Sequence, residues 1–310
     1  MFHDALVPFA ERWIITMKYE LKNEQLTVGF ETKGAEMISL KGNKSGKEYL
    51  WNADAKFWGR HSPVLFPIVG RVRDNTYRYD GQEYHLSQHG FARDMEFECV
   101  SQEPEEIWFR LKATPDTKKN YPFEFQLEIG YRLENDTVRV MWKVTNLEKE
   151  KEMHFSIGAH PAFMCPLNEG EKQSDYGIVM DEEEEVMYSF IGAEDGLMFN
   201  HKNGLKLEHG YHKFEEGFFD KSAYIIEKYQ VRKVSLVDPQ KKPYITVSFQ
   251  APVVGIWSPE KKHAPFVCIE PWYGRCDRET FEGTLEEREW GNKLKPQEVF
   301  DHSYEIKVEQ

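Results

Sequence analysis

Phe123-Glu124-Phe125-Gln126-Leu127-Glu128-Ile129-Gly130-Tyr131, a break at Asn135-Asp136, and then Val138-Arg139-Val140-Met141-Trp142-Lys143-Val144 form the stretch that decides the fold. Large apolar side chains fall on every second residue, the period of a strand with unlike surroundings on its two faces. Asn-Asp between two such runs is the chemistry of a tight turn, so the segment reads as an antiparallel hairpin. The pattern recurs just upstream, where Met95, Phe97 and Cys99 are followed across Glu103-Pro104-Glu105 by Ile107, Phe109 and Leu111. Helical signals are scarce. The best is Thr284-Leu285-Glu286-Glu287, a capping box that opens a short helix for Gly291 to close. No Pro/Gly/Ser linker, composition shift or internal repeat divides the chain. These features predict an all-β protein, one large antiparallel β-sandwich domain over residues 17–310. Residues 1–16 lack the strand pattern that begins at Met17 and read as a peripheral N-terminal extension, whose removal is expected to leave folding and activity intact.

Composition narrows the partners. A 310-residue chain with 40% hydrophobic and 14% aromatic residues can bury a large core. Its net charge of −13, from 40 basic and 53 acidic residues, repels polyanions and argues against nucleic acid or an anionic membrane as partner. The run Asp181-Glu182-Glu183-Glu184-Glu185 has no ligand-spaced Gly turn and reads as a solvated edge. Cys99, Cys165, Cys268 and Cys276 lack CxxC spacing and sit mostly in apolar runs, which suits reduced core or near-site thiols. With no secretory leader pattern and no run of about 18 apolar residues, the sequence predicts a cytoplasmic protein. The glycosylation-type triplets at Asn43 and Asn135 then carry no information.

Chemistry concentrates in three short segments: Gln88-His89-Gly90-Phe91-Ala92-Arg93, Gly158-Ala159-His160-Pro161-Ala162-Phe163, and Cys268-Ile269-Glu270-Pro271-Trp272. Two histidines and a carboxylate bracket neutral pH in their ordinary acidities and suit a reaction made of proton movements. In Met153–His160, the residues Met153, Phe155 and Ile157 point one way, and His154, Ser156, Gly158 and His160 the other. Spacing alone leaves His160 open between an ordinary hydrogen-bonded loop histidine and a catalytic one. Glu270 closes an apolar run, so it is either a strand-end group facing water or a functional charge. His85 and His89 have helical metal-pair spacing, but on a strand their rings stand about 13 Å apart, which excludes a shared ion. No GxGxxG, P-loop, GxSxG or HExxH pattern supports nucleotide binding or serine or zinc hydrolysis.

These segments, with Leu65-Phe66-Pro67-Ile68-Val69-Gly70-Arg71 before them, resemble the aldose 1-epimerase (galactose mutarotase) family, most closely its LacX-like branch, from about Met17 to the end. The resemblance implies the galactose mutarotase-like supersandwich fold. It also implies His160 as general acid, Glu270 as general base, His89 as a substrate-polarising histidine and Arg71 as a donor to sugar hydroxyls, while Arg93 is expected in a supporting position. One departure stands out: the family's acidic residue before an Ala-Leu-Ile-Phe-like run is Ser222 here. Asp220, two residues earlier, would share its face on a strand and substitute as a sugar ligand. Among the aromatics Trp58, Phe163, Trp257, Trp272 and Tyr273, adjacency to the acid and base favours Trp272 and Phe163 for stacking on a pyranose.

The sequence therefore predicts an isomerase that interconverts the α and β anomers of a free hexose by acid-base ring opening and closure, as monomer or homodimer, without cofactor or metal. A hexose-6-phosphate mutarotase, with Arg60, Arg73 and Arg93 as phosphate ligands, and a non-catalytic carbohydrate-binding protein are the alternatives.

Overall fold

The computed structural model describes residues 17–309; the extension at residues 1–16 lies outside them. Period-two alternation becomes two large antiparallel sheets. In the nine-stranded sheet the deciding hairpin is central: Phe125–Glu134 pairs with Thr137–Asn146, and Glu134 faces Thr137 across Asn135-Asp136. Asn135 takes a left-handed φ of 58° there, a conformation that asparagine tolerates better than most residues. Glu106–Lys112 and Glu98–Glu103 continue the sheet on one side, forming the second expected hairpin, and Val299–Val308 and Pro243–Phe249 continue it on the other.

The eight-stranded sheet carries the chemistry. Its middle runs Tyr224–Glu227, Val253–Trp257, Phe266–Tyr273 and then Ile157–Ala159, while Ala162–Met164 also pairs with Phe266–Tyr273. The two sheets share one core to which Val140, Trp142, Val247 and Ile306 contribute from the first and Val254, Ile256, Val267 and Ile269 from the second. Trp142 meets Tyr273 edge-on at 6.4 Å between ring centroids, and Tyr273 meets Phe300 at 5.2 Å, so aromatic edges bridge the layers. The expected helix is a single 3-10 turn at Leu285–Glu287, with the Thr284 N–H donating to Glu287 Oε2 at 2.8 Å. Among the described residues the α-helix is Pro115–Asn120, and no helix is long and apolar enough to cross a membrane.

Phe266–Tyr273 is buried along its whole length, so Glu270 is not a strand-end group facing water. Its residues divide by parity: Val267, Ile269 and Tyr273 join the inter-sheet core, while Phe266, Cys268 and Trp272 belong to smaller clusters on the other face. Glu270 shares their parity. Replacing Trp142, 2% exposed at the heart of the first sheet, with Ala should lower the free energy of unfolding in urea by about 3–5 kcal/mol. A loss under about 1 kcal/mol would show that this layer contact does not organise the core.

Candidate active site

A break in sheet pairing builds the site. Ile157 and Gly158 face Tyr273 and Trp272, and beyond the break Ala162, Phe163 and Met164 face Cys268, Val267 and Phe266 in the same register. Continuing that register through the gap sets His160 opposite Glu270. The Ile269 N–H reaches the Pro161 carbonyl at 3.4 Å, so by strand parity the nitrogen of residue 271 also turns toward the broken strand. Pro271 has no N–H to give it. The Trp272 indole N–H instead donates to the Ala159 carbonyl at 3.2 Å, satisfying the acceptor that the proline leaves open. Two small residues make room: a Cβ on Gly158 would lie 2.5 Å from the Trp272 ring, and Gly255 sits across from Glu270.

His160 and Glu270 are 7% and 1% exposed, and His160 Nε2 lies 3.2 Å from Glu270 Oε2. Their alignment is not that of a hydrogen bond, and neither Glu270 Oε2 nor His160 Nδ1 has another hydrogen-bond partner. Trp58 stacks on the His160 ring at 4.7 Å, and Trp257 and His89 meet it edge-on at 5.3 and 5.6 Å. These rings leave His160 little surface in contact with solvent. Burial, reinforced by Arg93, pushes His160 down to about 3, and burial pushes Glu270 well above the carboxylate range, partly offset by the Trp272 indole. An ion pair would shift both groups the opposite way, so here burial outweighs the mutual attraction and disfavours the charged form of each. Burial, with Glu270 adding to it, likewise keeps Cys268 a thiol.

His89 is fixed from three directions. Its N–H donates to the Gly70 carbonyl at 2.8 Å, its own carbonyl accepts from Phe66 at 3.2 Å, and its Nδ1 accepts the Gly70 N–H at 3.0 Å. An Nδ1 that accepts places the ring proton on Nε2, so neutral His89 is a donor. Burial, followed by His160 and Arg93, holds it well below the usual histidine value. The turn needs Gly90, whose φ is +69° and whose Cβ would fall 2.3 Å from the Phe66 carbonyl oxygen. Arg71 extends from the next segment, with Nη1 donating to the Glu194 carbonyl at 3.1 Å and a buried Nε that lacks a partner.

His160, Glu270, His89, Arg71 and Trp272 line one cleft of about 470 Å³, together with Trp58, Arg60, Gln88, Arg93, Ser222, Trp257 and Glu260. Asp220 is not among the lining residues. Strand pairing starts only at Tyr224, so Asp220 lies in a turn where face alternation fails; its carboxylate sits by Gly217 and its N–H bonds the Gly217 carbonyl. Ser222 does reach the cleft, but its hydroxyl donates to the Ile191 carbonyl at 2.7 Å and accepts from the Ile191 N–H at 3.3 Å. It shapes the Ile191–Gly196 wall instead of presenting a charge. Phe163 and Tyr273 are core residues, whereas Trp58 and Trp257 pack against the His160 ring. Arg93 donates to the Gln88 carbonyl at 2.6 Å, and Arg60 pairs with Asp94 at 2.9 Å. Glu260, absent from the sequence reading, receives the Trp257 indole N–H at 3.4 Å; it sits in an unremarkable polar loop that offers no pattern to find it by.

Comparison with known proteins gives the family and the fold. Residues 17–307 match the model of the aldose 1-epimerase family. The chain is 34% identical over 306 residues to the plasmid-borne protein LacX of Lactococcus lactis subsp. lactis, covering 94% of this chain and 99% of that one. A galactose mutarotase related enzyme from Lactobacillus acidophilus superposes with a TM-score of 0.89 at 35% identity, covering 95% of this chain and 98% of that one. A galactose mutarotase-like protein from Lactobacillus casei superposes at 0.86 with 27% identity, covering 94% and 100%. A family model matched over residues 17–307 and a relative 34% identical along nearly its whole length show that this chain belongs to the aldose 1-epimerase family.

Proposed function

We propose that the protein is a mutarotase that interconverts the α and β anomers of a free hexose, with His160 and Glu270 as its acid-base pair. The observation that carries this reading is the 3.2 Å separation of His160 Nε2 and Glu270 Oε2 in two residues that line one cleft, with Glu270 Oε2 lacking a hydrogen-bond partner. Ring opening needs a proton on the ring oxygen and a proton removed from the C1 hydroxyl. The pair holds one proton, so it delivers one as it accepts the other. With the proton on imidazole, His160 protonates the ring oxygen while Glu270 takes the C1 hydroxyl proton; the C1–O bond breaks and the open-chain aldehyde forms. Rotation about C1–C2 and the reverse transfers close the other anomer, and the pair regains its starting proton count. The sugar's own polar groups replace the contacts that the resting pair lacks, which lowers the cost of the charged form when it is needed. His89, as an Nε2–H donor, and Arg71, with its fork of donors, orient the hydroxyls.

Of the three arginines expected to hold a phosphate, Arg60 and Arg93 line the cleft, together with Arg71, whereas Arg73 bonds the Phe281 and Glu279 carbonyls outside it; the cleft arginines are a specific reason to retain a sugar phosphate as the second reading. Polarimetry with fresh α-D-glucose, α-D-galactose and glucose 6-phosphate separates the readings: catalysed relaxation of a neutral sugar supports the first, acceleration confined to the phosphate supports the second, and binding with no acceleration removes both.

Glu270→Gln and His160→Ala should each lower kcat by about 10²–10⁴-fold with little change in KM, because they move protons in the transition state. Mutarotation near the wild-type rate in either variant rejects that residue's role.

Glu270→Gln should also stabilise the protein at alkaline pH. The folded-state pKa of Glu270 is raised by burial, so the folded state keeps a proton that the unfolded state releases above its own value of about 4.3. Wild-type stability therefore falls as pH climbs from there toward the raised value, and a neutral glutamine is spared that loss. Thermal midpoints of the two proteins should diverge with rising pH; a constant difference would mean that Glu270 is ionised in the fold.

A further inference from the structure

We propose that His160, Cys268 and Glu270 form a binding site for a thiophilic tetrahedral cation, Zn2+ or Cd2+, which shuts the enzyme by occupying its acid-base pair. His160 Nε2 or Nδ1, Cys268 Sγ and a Glu270 carboxylate oxygen lie within 4.8 Å of one another, and all three residues are buried. The strand dictates this convergence. Cys268 and Glu270 are two residues apart on one face of Phe266–Tyr273, and the register sets His160 across from Glu270. Bonds of about 2.0–2.2 Å to nitrogen and oxygen and about 2.3 Å to sulfur, in tetrahedral array, require ligand atoms about 3.3–3.6 Å apart. The 3.2 Å between His160 Nε2 and Glu270 Oε2 is close to this, and with no ligand atoms more than 4.8 Å apart Cys268 needs a movement of at most about 1.5 Å, which a change within its rotamer well supplies.

A second observation points to a ligand. Glu270 Oε2 is buried, has no hydrogen-bond partner and is near His160 Nε2 without being aligned with it, the arrangement of two ligand atoms directed at a shared point. Charge selects the ion. A divalent cation with one thiolate, one carboxylate and one neutral imidazole sums to zero, which suits a site from which water is excluded. As the metal–sulfur and metal–oxygen bonds form, the thiol proton and the proton of the His160–Glu270 pair pass to solvent. Nitrogen and sulfur donors favour Zn2+ and Cd2+ over Mg2+ or Ca2+. Cys268 does not line the cleft, whereas His160 and Glu270 do, so an entering ion keeps its fourth position toward the cleft, where the sugar would bind.

The inhibition arm rests on the mutarotase reading, but binding is measurable without it. Full-length protein is titrated with Cd2+ under anaerobic conditions while the cadmium–thiolate charge-transfer band in the near ultraviolet is recorded, and with Zn2+ while mutarotation is followed. The expected result is a one-to-one Cd2+ complex, Zn2+ inhibition that saturates with one ion per chain, and full recovery with EDTA. Cys268→Ser and Cys268→Ala should retain metal-free activity, lose the charge-transfer band, and need roughly tenfold or more Zn2+ for the same inhibition. Cys99→Ser, which removes the half-buried thiol, should change none of these. A band that survives in both Cys268 variants, or equal Zn2+ inhibition with and without Cys268, overturns the proposal. If no substrate is turned over, the mutarotase reading fails while the cadmium band still decides the metal site.

Discussion

An ionisable pair enclosed away from water is the constraint on which the rest of this structure depends. A carboxyl and an imidazole 3.2 Å apart, walled by Trp58 and Trp257, cannot both carry charge without a large desolvation cost, nor does their geometry offer the aligned hydrogen bond that would offset it. The fold accepts this arrangement only because it spreads the pair over two strands already fixed by a large core. Val267 and Ile269 pack into the inter-sheet core from one face of the strand Phe266–Tyr273, and Glu270 leaves it on the other, beside Phe266, Cys268 and Trp272.

Backbone chemistry sets the position of the pair. Proline 271 withholds a ladder hydrogen bond, the facing strand breaks at His160-Pro161, and Trp272 takes over the open carbonyl. The same break frees His160 from the sheet without shifting its register, so it still faces Glu270. On the neighbouring segment the Gly70–His89 exchange fixes both the position and the tautomer of a second histidine. The sheet positions His160 and Glu270, and the loops supply Arg71, Glu260 and the Ile191–Gly196 wall of the same cleft; under the proposed reading, this division lets sugar preference change without disturbing the chemistry.

Much of this was legible in the sequence, for identifiable reasons. Alternation over Phe123–Val144 specified a hairpin because the strand period is a local property. It also gave the face of His160, since Met153, Phe155 and Ile157 enter the core as expected. Resemblance to a family identified Glu270, which spacing alone left open. Legibility failed where local periodicity lapses. Asp220 was placed by strand parity, yet strand pairing begins only at Tyr224. Glu270 was left open as a strand end facing water because it closes an apolar run, whereas the strand continues through Tyr273 and buries it. The enclosure by Trp58 and Trp257, and the approach of Cys268 to both catalytic candidates, depend on contacts between distant segments that no one-dimensional pattern encodes.

The central claim is that His160 and Glu270 work as one proton-carrying unit. The most direct test is the mutarotation rate of the His160→Ala, Glu270→Gln and combined variants, measured on the same sugar. A unit that shares a single proton is lost once either member is gone, so the double variant should turn over within about tenfold of the slower single variant. Losses that multiply in the double variant would show two groups acting independently, and would contradict the account.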